Sequence, residues 1–309
     1  MKVVRQPAEL QTNGRKVCLA IGVFDGVHLG HQQVIHKTIA DARQHEALAV
    51  ALTFDRHPNS VVAPERAPAL IYSLPQKLRA IESLGIDATL LIEFTESFSR
   101  KSGEQFVREL VQGFGNIHSI CVGSTFTFGH KRSGNVDLLH KLGAEFKFQV
   151  HGLAALALDG ETVSSTRIRN CIRAGDLNAA SQMLGRSYAI AGKVIEGDRL
   201  GRTLGAPTAN IDTAGLVLPP NGVHAVHADV KGRSFRAVAN IGIRPTLNNP
   251  APPRRLEVHL LDFNGDLYGS EMEITFAEKL RDERRFESLD ALKKQIAADI
   301  GAALDLFNS

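Results

Sequence analysis

Two histidines, His28 and His31, lie three residues apart in the stretch Gly22-Val23-Phe24-Asp25-Gly26-Val27-His28-Leu29-Gly30-His31. An apolar run, Val17 to Ile21, precedes it, and Val34, Ile35, Thr38, Ile39 and Ala42 follow at helical spacing. The pattern predicts strand, glycine turn and helix, with both imidazoles facing one way at the helix start. Glycines let the backbone approach an anion, and a helix N-terminus offers unpaired N–H groups and the positive end of its dipole. Imidazoles placed there donate to charge that builds on a phosphoryl group, a form of electrostatic catalysis with no covalent step. The plain alternative is a glycine-rich turn with two surface histidines.

A second polar group follows at Val163-Ser164-Ser165-Thr166-Arg167-Ile168-Arg169. Ser165 and Thr166 are expected to cap a helix. Arg169, one turn on, points back toward the capped end, and hydroxyls, free N–H groups and a guanidinium together suit a triphosphate. Further polar or aromatic residues leave strand ends at Asp55-Arg56-His57-Pro58 and at Gly123 to Gly134. In the latter, the loop either contacts a phosphate or other ligand at the sheet edge or is a surface loop with Phe126 and Phe128 packed into the core.

The elements that must position these groups are legible as alternating runs. Leu48–Phe54 reads as a continuous apolar strand of the kind a parallel sheet buries on both faces, and Ala88–Ile92 and Ile117–Val122 read as further strands. Ser73 with Gln76, and Ser102 with Gln105, have capping-box spacing ahead of apolar helical stripes, and a further strand is expected near Phe146 to Val150. Strand and helix in alternation predict a doubly wound α/β domain whose ligands sit at the strands' C-terminal ends. A short helix from Asp176 ends at Gly185, and from Tyr188 short β-like runs alternate with Gly, Pro and Asn turns, predicting a small antiparallel barrel. Gly192, Gly197, Gly201 and Gly205 form either a nucleotide-cradling arch or an ordinary loop. Pro250 to Arg255 has no helical pattern. A closing helix from Ser288 carries a stripe of Leu289, Leu292, Ile296, Ile300 and Leu304, expected to face the core.

Composition narrows the class. The chain has 309 residues, 43% of them hydrophobic, enough for two domains with ordinary cores. Three widely spaced cysteines fit neither a disulfide framework nor a zinc site, and imply a reducing compartment. No signal peptide or membrane-length apolar run is present, so a soluble cytoplasmic protein, monomeric or weakly oligomeric, is expected. The net charge of +3 is spread along the chain. The densest basic cluster, Arg281 to Arg285, alternates with Asp282 and Glu283, unlike the concentrated stripe of a nucleic-acid binder.

The motif GxFDGxHxGH resembles the HxGH signature of the nucleotidyltransferase superfamily, and in this form is similar to bacterial bifunctional riboflavin kinase/FAD synthetases. Ser164-Ser165-Thr166 with Arg169 resembles that family's ISSTxxR motif, and Pro207-Thr208-Ala209-Asn210 resembles its PTAN motif. Thr125 stands where the family carries an acidic residue, and Ala206 where it carries phenylalanine. The resemblance implies a Rossmann-like FMN adenylyltransferase domain over 1–184 and a β-barrel riboflavin kinase domain with a C-terminal helix over 185–309. It implies catalytic His28 and His31, with ATP on Gly22, Phe24, Asp25, Gly26, Gly30, Ser165, Thr166 and Arg169. In the barrel it implies ATP on Gly192, Gly197, Gly201, Gly205, Thr208 and Asn210, Mg²⁺ on Thr208 and Asn210, and Glu257 as general base. Flavin contacts would be His57, Phe126 and Phe128 in the first domain, Arg281 and Phe286 in the second. The substrates and products implied are riboflavin, FMN, FAD and ATP.

The chemistry of the two reactions is consistent with this distribution. Riboflavin presents a neutral hydroxyl, for which a carboxylate acceptor such as Glu257 helps. FMN presents an already anionic phosphate, which needs positioning and charge stabilisation instead. The rival readings are adenylylation of another phosphorylated acceptor and a non-catalytic flavin- or nucleotide-binding module.

Overall fold

Runs that are apolar at every position need a sheet covered on both faces, and Val17–Ile21 and Leu48–Phe54 are buried throughout. In the computed structural model, which describes residues 1–197, 201, 205–243 and 254–308, the chain divides into two units. They are Met1–Leu70 with Leu74–Arg167, and Ile71–Ser73 with Ile168–Ser309.

The first unit contains β1 (Lys2–Val4), β2 (Val17–Ile21), α1 (Leu29–Gln44), β3 (Leu48–Phe54), α2 (Asn59–Val62), α3 (Leu74–Glu82), β4 (Ala88–Ile92), α4 (Glu96–Ser99), α5 (Gly103–Phe114), β5 (Ile117–Gly123), α6 (Val136–Phe146), β6 (Gln149–Leu153) and the hairpin β7 (Ala157–Leu158) with β8 (Glu161–Thr162). The parallel sheet runs β1-β4-β3-β2-β5-β6. After β2 the chain builds outward through β3 and β4, then crosses back to β5 on the other side. The β2 end is therefore the switch point, where an open sheet leaves a crevice. Strand alternation divides the core: Val17, Leu19 and Ile21 pack with α5 and α6, whereas Cys18 and Ala20 pack with α1.

Several local expectations shift. Ser102 and Gln105 form both halves of the capping box on α5, but the Ser73 hydroxyl is buried without a hydrogen-bond partner among the described residues, so it caps nothing. The last strand begins at Gln149 because Phe146 still closes α6, whose cap Lys147 is left-handed (φ 63°). On α1, buried Asp41 accepts from Lys37 Nζ at 2.6 Å and Ser119 Oγ at 3.1 Å, and faces His151 Nε2 at 2.8 Å. Burial alone would raise its pKa. Lys37, His151 and Ser119 outweigh that and lower it, so an ionised carboxylate ties α1 to β5 and β6. Cys121 beside it is pushed up to about 12 by burial, leaving an inert thiol.

The second unit contains the greater part of α7 (Ser165–Ala174), then α8 (Leu177–Leu184), capped by left-handed Gly185 (φ 70°), and the strands β9 (Ala189–Ile195), β10 (Ala209–Ile211), β11 (Gly222–Val230), β12 (Arg233–Ile243), β13 (Arg254–Leu260) and β14 (Glu271–Arg281), then α9 (Leu289–Asn308). The strands close into an antiparallel barrel in the order β10-β13-β12-β11-β14-β9. Leu256, Val258 and Leu260 point into it, and Glu257 and His259 alternate onto the other face. Of the expected Pro-rich loop, 250–253 lie outside the described residues, while Arg254 and Arg255 already belong to β13.

Candidate active sites

The turn after β2 folds as the glycines and histidines require. Phe24, Gly26 and Val27 all take positive φ (53°, 79° and 42°), a costly conformation for a β-branched valine and a mark of a constrained site. His28 caps α1, its Nδ1 accepting from the His31 N–H at 3.4 Å. That puts the proton of a neutral ring on Nε2. The rings of His28 and His31 stack, with centroids 3.6 Å apart. A Cβ at Gly30 would come within 3.3 Å of the His28 ring, so the glycine makes room for it. Burial, then His28 and Lys77, hold the pKa of His31 well below the usual histidine value, so this ring is neutral at pH 7. Its Nδ1 is buried with no hydrogen-bond partner among the described residues, the state of a group that a ligand or water completes.

The second polar motif meets this turn. Ser165 Oγ donates to the Asp25 carbonyl at 3.0 Å. The cap of α7 is therefore Ser164, whose Oγ accepts from the Arg167 N–H at 3.2 Å, and not Ser165 or Thr166 as expected. The correction follows from the first helical residue being Ser165, which frees its hydroxyl for Asp25. Thr166 is exposed at the same helix start. Arg169, one turn further along α7, is buried and falls in the second unit. Phe24 is also buried, its ring edge-on to His31 at 5.3 Å, and Gly22 lets that ring lie against the backbone. The Phe24 side chain thus backs His31.

Lys77 escaped the sequence reading. From α3 its ammonium donates to the carbonyls of Phe54 (2.7 Å) and Val23 (3.3 Å) and to Thr53 Oγ1 (3.3 Å), joining the ends of β2 and β3 under the turn. Burial lowers its pKa to about 8, against the pull of Asp25 and Asp55. The available signal was a lysine one helical turn before apolar Ile81 on the buried face of α3.

At the same sheet edge lies a cavity of about 570 Å³ lined by His57, Phe54, Phe94, Phe98, Phe106, Phe126 and Phe128, with Lys101, Lys131 and Arg132 also on its wall. The structure therefore brings His57, Phe126 and Phe128 together, and the two phenylalanine rings stack at 5.3 Å. Phe126 and Phe128 also pack on the core, so the two readings of the loop are compatible. An aromatic slot with cations on its wall suits a flat heterocycle carrying an anionic group.

In the barrel, Thr208, Glu257, Arg281 and Phe286 line one cavity of about 290 Å³. Glu257 is registered opposite Asn210 on β10 and Asn240 on β12. A Cβ at Gly197 would lie 2.0 Å from Asn210 Nδ2, and one at Gly201 would lie 3.2 Å from Thr208 Oγ1, so these glycines close over both side chains. Gly205 (φ 82°) makes a turn in open space, whereas Gly192 sits inside β9 against the Asp212 carbonyl and is a barrel-packing position, not part of the arch. Arg281 is held by a bidentate pair with Asp299 (2.8 and 2.7 Å), and its guanidinium lies 5.7 Å from the Phe286 ring centre. Asp299 too was missed: it interrupts the apolar stripe of α9. That stripe is not core. Leu292, Ile296 and Ile300 wall the cavity, and Leu289 is exposed.

The family model described as FAD synthetase matches residues 10–167, and the one described as riboflavin kinase matches 184–307. The bifunctional riboflavin kinase/FMN adenylyltransferase of Pseudomonas fluorescens is 40% identical, covering 98% of this chain and 97% of the relative. The protein of the same description from Escherichia coli K12 is 36% identical, covering 99% and 98%. A crystal structure named as a macrolide-efflux protein from Streptococcus pneumoniae superposes with a TM-score of 0.80 at 27% identity, covering 97% of both chains. Among the described residues, no helix of the present chain is long and apolar enough to cross a membrane. With both halves matched in order and the relatives aligned end to end, the chain belongs to the bifunctional riboflavin kinase/FMN adenylyltransferase family.

Proposed function

We propose that the barrel phosphorylates riboflavin to FMN with ATP, and that the α/β half adenylylates FMN to FAD with release of pyrophosphate. The observation that carries the first assignment to particular residues is the shared cavity of Thr208, Glu257 and Arg281. Glu257 takes the proton of the riboflavin 5′-hydroxyl as its oxygen bonds to the γ-phosphorus and ADP departs. Phe286 and the Arg281 held by Asp299 orient the flavin. The neutral oxygens of Thr208 and Asn210, closed over by Gly197 and Gly201, form a hard donor set that fits Mg²⁺. Those two residues would hold the ion, which when bound neutralises phosphate oxygens.

In the α/β half, an FMN phosphate oxygen bonds to the ATP α-phosphorus as the bond to the pyrophosphate oxygen breaks, and no proton acceptor is needed. The N-termini of α1 and α7 and the Nε2–H of His28 stabilise the charge. Neutral His31 and Lys77 hold the turn in shape, and the aromatic slot with His57, Phe126 and Phe128 takes the isoalloxazine ring. The contacts proposed for Gly22, Asp25, Gly26 and Gly30 are through backbone. We place the boundary of the catalytic halves at Gly185, supported by the change in composition there, and the setting in the cytoplasm, supported by the small number and wide spacing of the cysteines.

Incubating the purified protein with riboflavin, ATP and Mg²⁺, followed by chromatography, tests the reading. FAD supports both assignments, FMN alone defeats the adenylyl-transfer site, and unchanged riboflavin defeats both.

A further inference from the structure

We propose that His259 is a positioning residue for phosphoryl transfer in the barrel, its imidazole clipping the Thr208 loop to the strand that carries Glu257. The inference rests on the kinase reading above. Strands β10 and β13 pair through Ala209 with Val258, Asn210 with Glu257, and Ile211 with Leu256. One step further along this register sets Thr208 opposite His259. There the ladder ends, and Pro207 has no N–H with which to extend it.

A side chain takes over where the backbone stops. His259 Nδ1 lies 2.8 Å from the Pro207 carbonyl. A carbonyl only accepts, so Nδ1 carries the hydrogen and donates, and the neutral ring keeps its lone pair on Nε2. Alternation along β13 puts His259 on the same face as Glu257, and both line the cavity with Thr208. A Cβ on Gly201 would lie 3.2 Å from Thr208 Oγ1, so only a glycine fits there. The residue proposed to hold the magnesium-nucleotide is thus confined by a glycine and by a loop pinned through the preceding carbonyl. Phosphoryl transfer depends on the distance between that residue's ligand and the base two positions along β13, and small misplacements are costly.

Two replacements separate the clip from the ring. His259→Phe keeps a flat ring of similar size and removes the donor, whereas His259→Asn keeps an N–H donor at comparable reach. For FMN formation, His259→Phe is expected to raise the KM for magnesium-ATP and the Mg²⁺ half-saturation roughly tenfold. The riboflavin KM should stay within twofold, and His259→Asn should recover most of the loss. The retained riboflavin KM reports the integrity of the barrel in each variant, and FAD formation from added FMN that of the other half. An unchanged ATP KM in His259→Phe overturns the clip, as does equal impairment in His259→Asn. A parallel rise in riboflavin KM also overturns it, by making His259 a flavin contact rather than a clip on the Thr208 loop. Wild-type protein unable to phosphorylate riboflavin would instead overturn the kinase reading itself.

Discussion

The hydroxyl of Ser165 donates to the backbone carbonyl of Asp25 across 3.0 Å and 140 residues of chain. Through this contact the N-terminus of α7 meets the glycine turn at the N-terminus of α1, where a Cβ on Gly30 would already be 4.0 Å from the Val163 carbonyl. One helix start attracts an anion modestly, and two that converge present two sets of unpaired N–H groups to the same phosphates.

Replacing Glu257 with Gln keeps size and polarity but removes the proton acceptor. FMN formation from riboflavin should fall by about 10²- to 10⁴-fold, while FAD formation from added FMN is unchanged. Steady-state assays with each flavin check this, and loss of both activities would show that the two sites are not chemically separate.

His28 combines two duties that substitution can separate. His28→Ala should lower FAD formation from FMN by roughly 10²-fold or more and cost about 1 kcal/mol through the lost cap. His28→Asn restores a capping side chain, so it should recover stability and not activity. FMN formation should survive in both. An active His28→Asn protein would reduce His28 to a cap.

Lys77 makes the stability of the α/β half pH-dependent in a definite direction. Its folded pKa of about 8 lies below its unfolded value, so between the two the unfolded chain holds a proton that the folded chain lacks. Stability then rises with pH across roughly pH 8 to 10, by up to about 3 kcal/mol, and is flat in this term below pH 8. In Lys77→Met the rise should vanish. Urea midpoints of both proteins from pH 7 to 10 measure it, and parallel curves would refute the assignment. FAD formation should also drop in the variant, because the Val23 and Phe54 carbonyls lose their common donor.

Asp299→Asn takes the charge from a carboxylate that grips Arg281 with both oxygens. The barrel should lose about 1 to 3 kcal/mol, and the riboflavin KM should rise more than the ATP KM. Kinase kinetics with each substrate varied in turn check this. An equal rise in both would place Arg281 outside the flavin side of the cavity.

Alternation and spacing along the chain determined a good deal on their own. The buried strands, the turn around Gly26, the Ser102 capping box and the outward face shared by Glu257 and His259 all arise within a few residues, and local steric and hydrophobic rules act at that range. The three-residue strand β10 escaped because it is too short to display a period. Tertiary structure decided the rest. It moved the α7 cap to Ser164 and sent Ser165 to Asp25, set Lys77 beneath the turn, turned the α9 stripe from core into cavity wall, gave Asp299 to Arg281, and laid His259 on Pro207. Each depends on a distance between residues far apart in the chain. Such distances emerge only when the sheet and the barrel close, so no pattern along the sequence contains them.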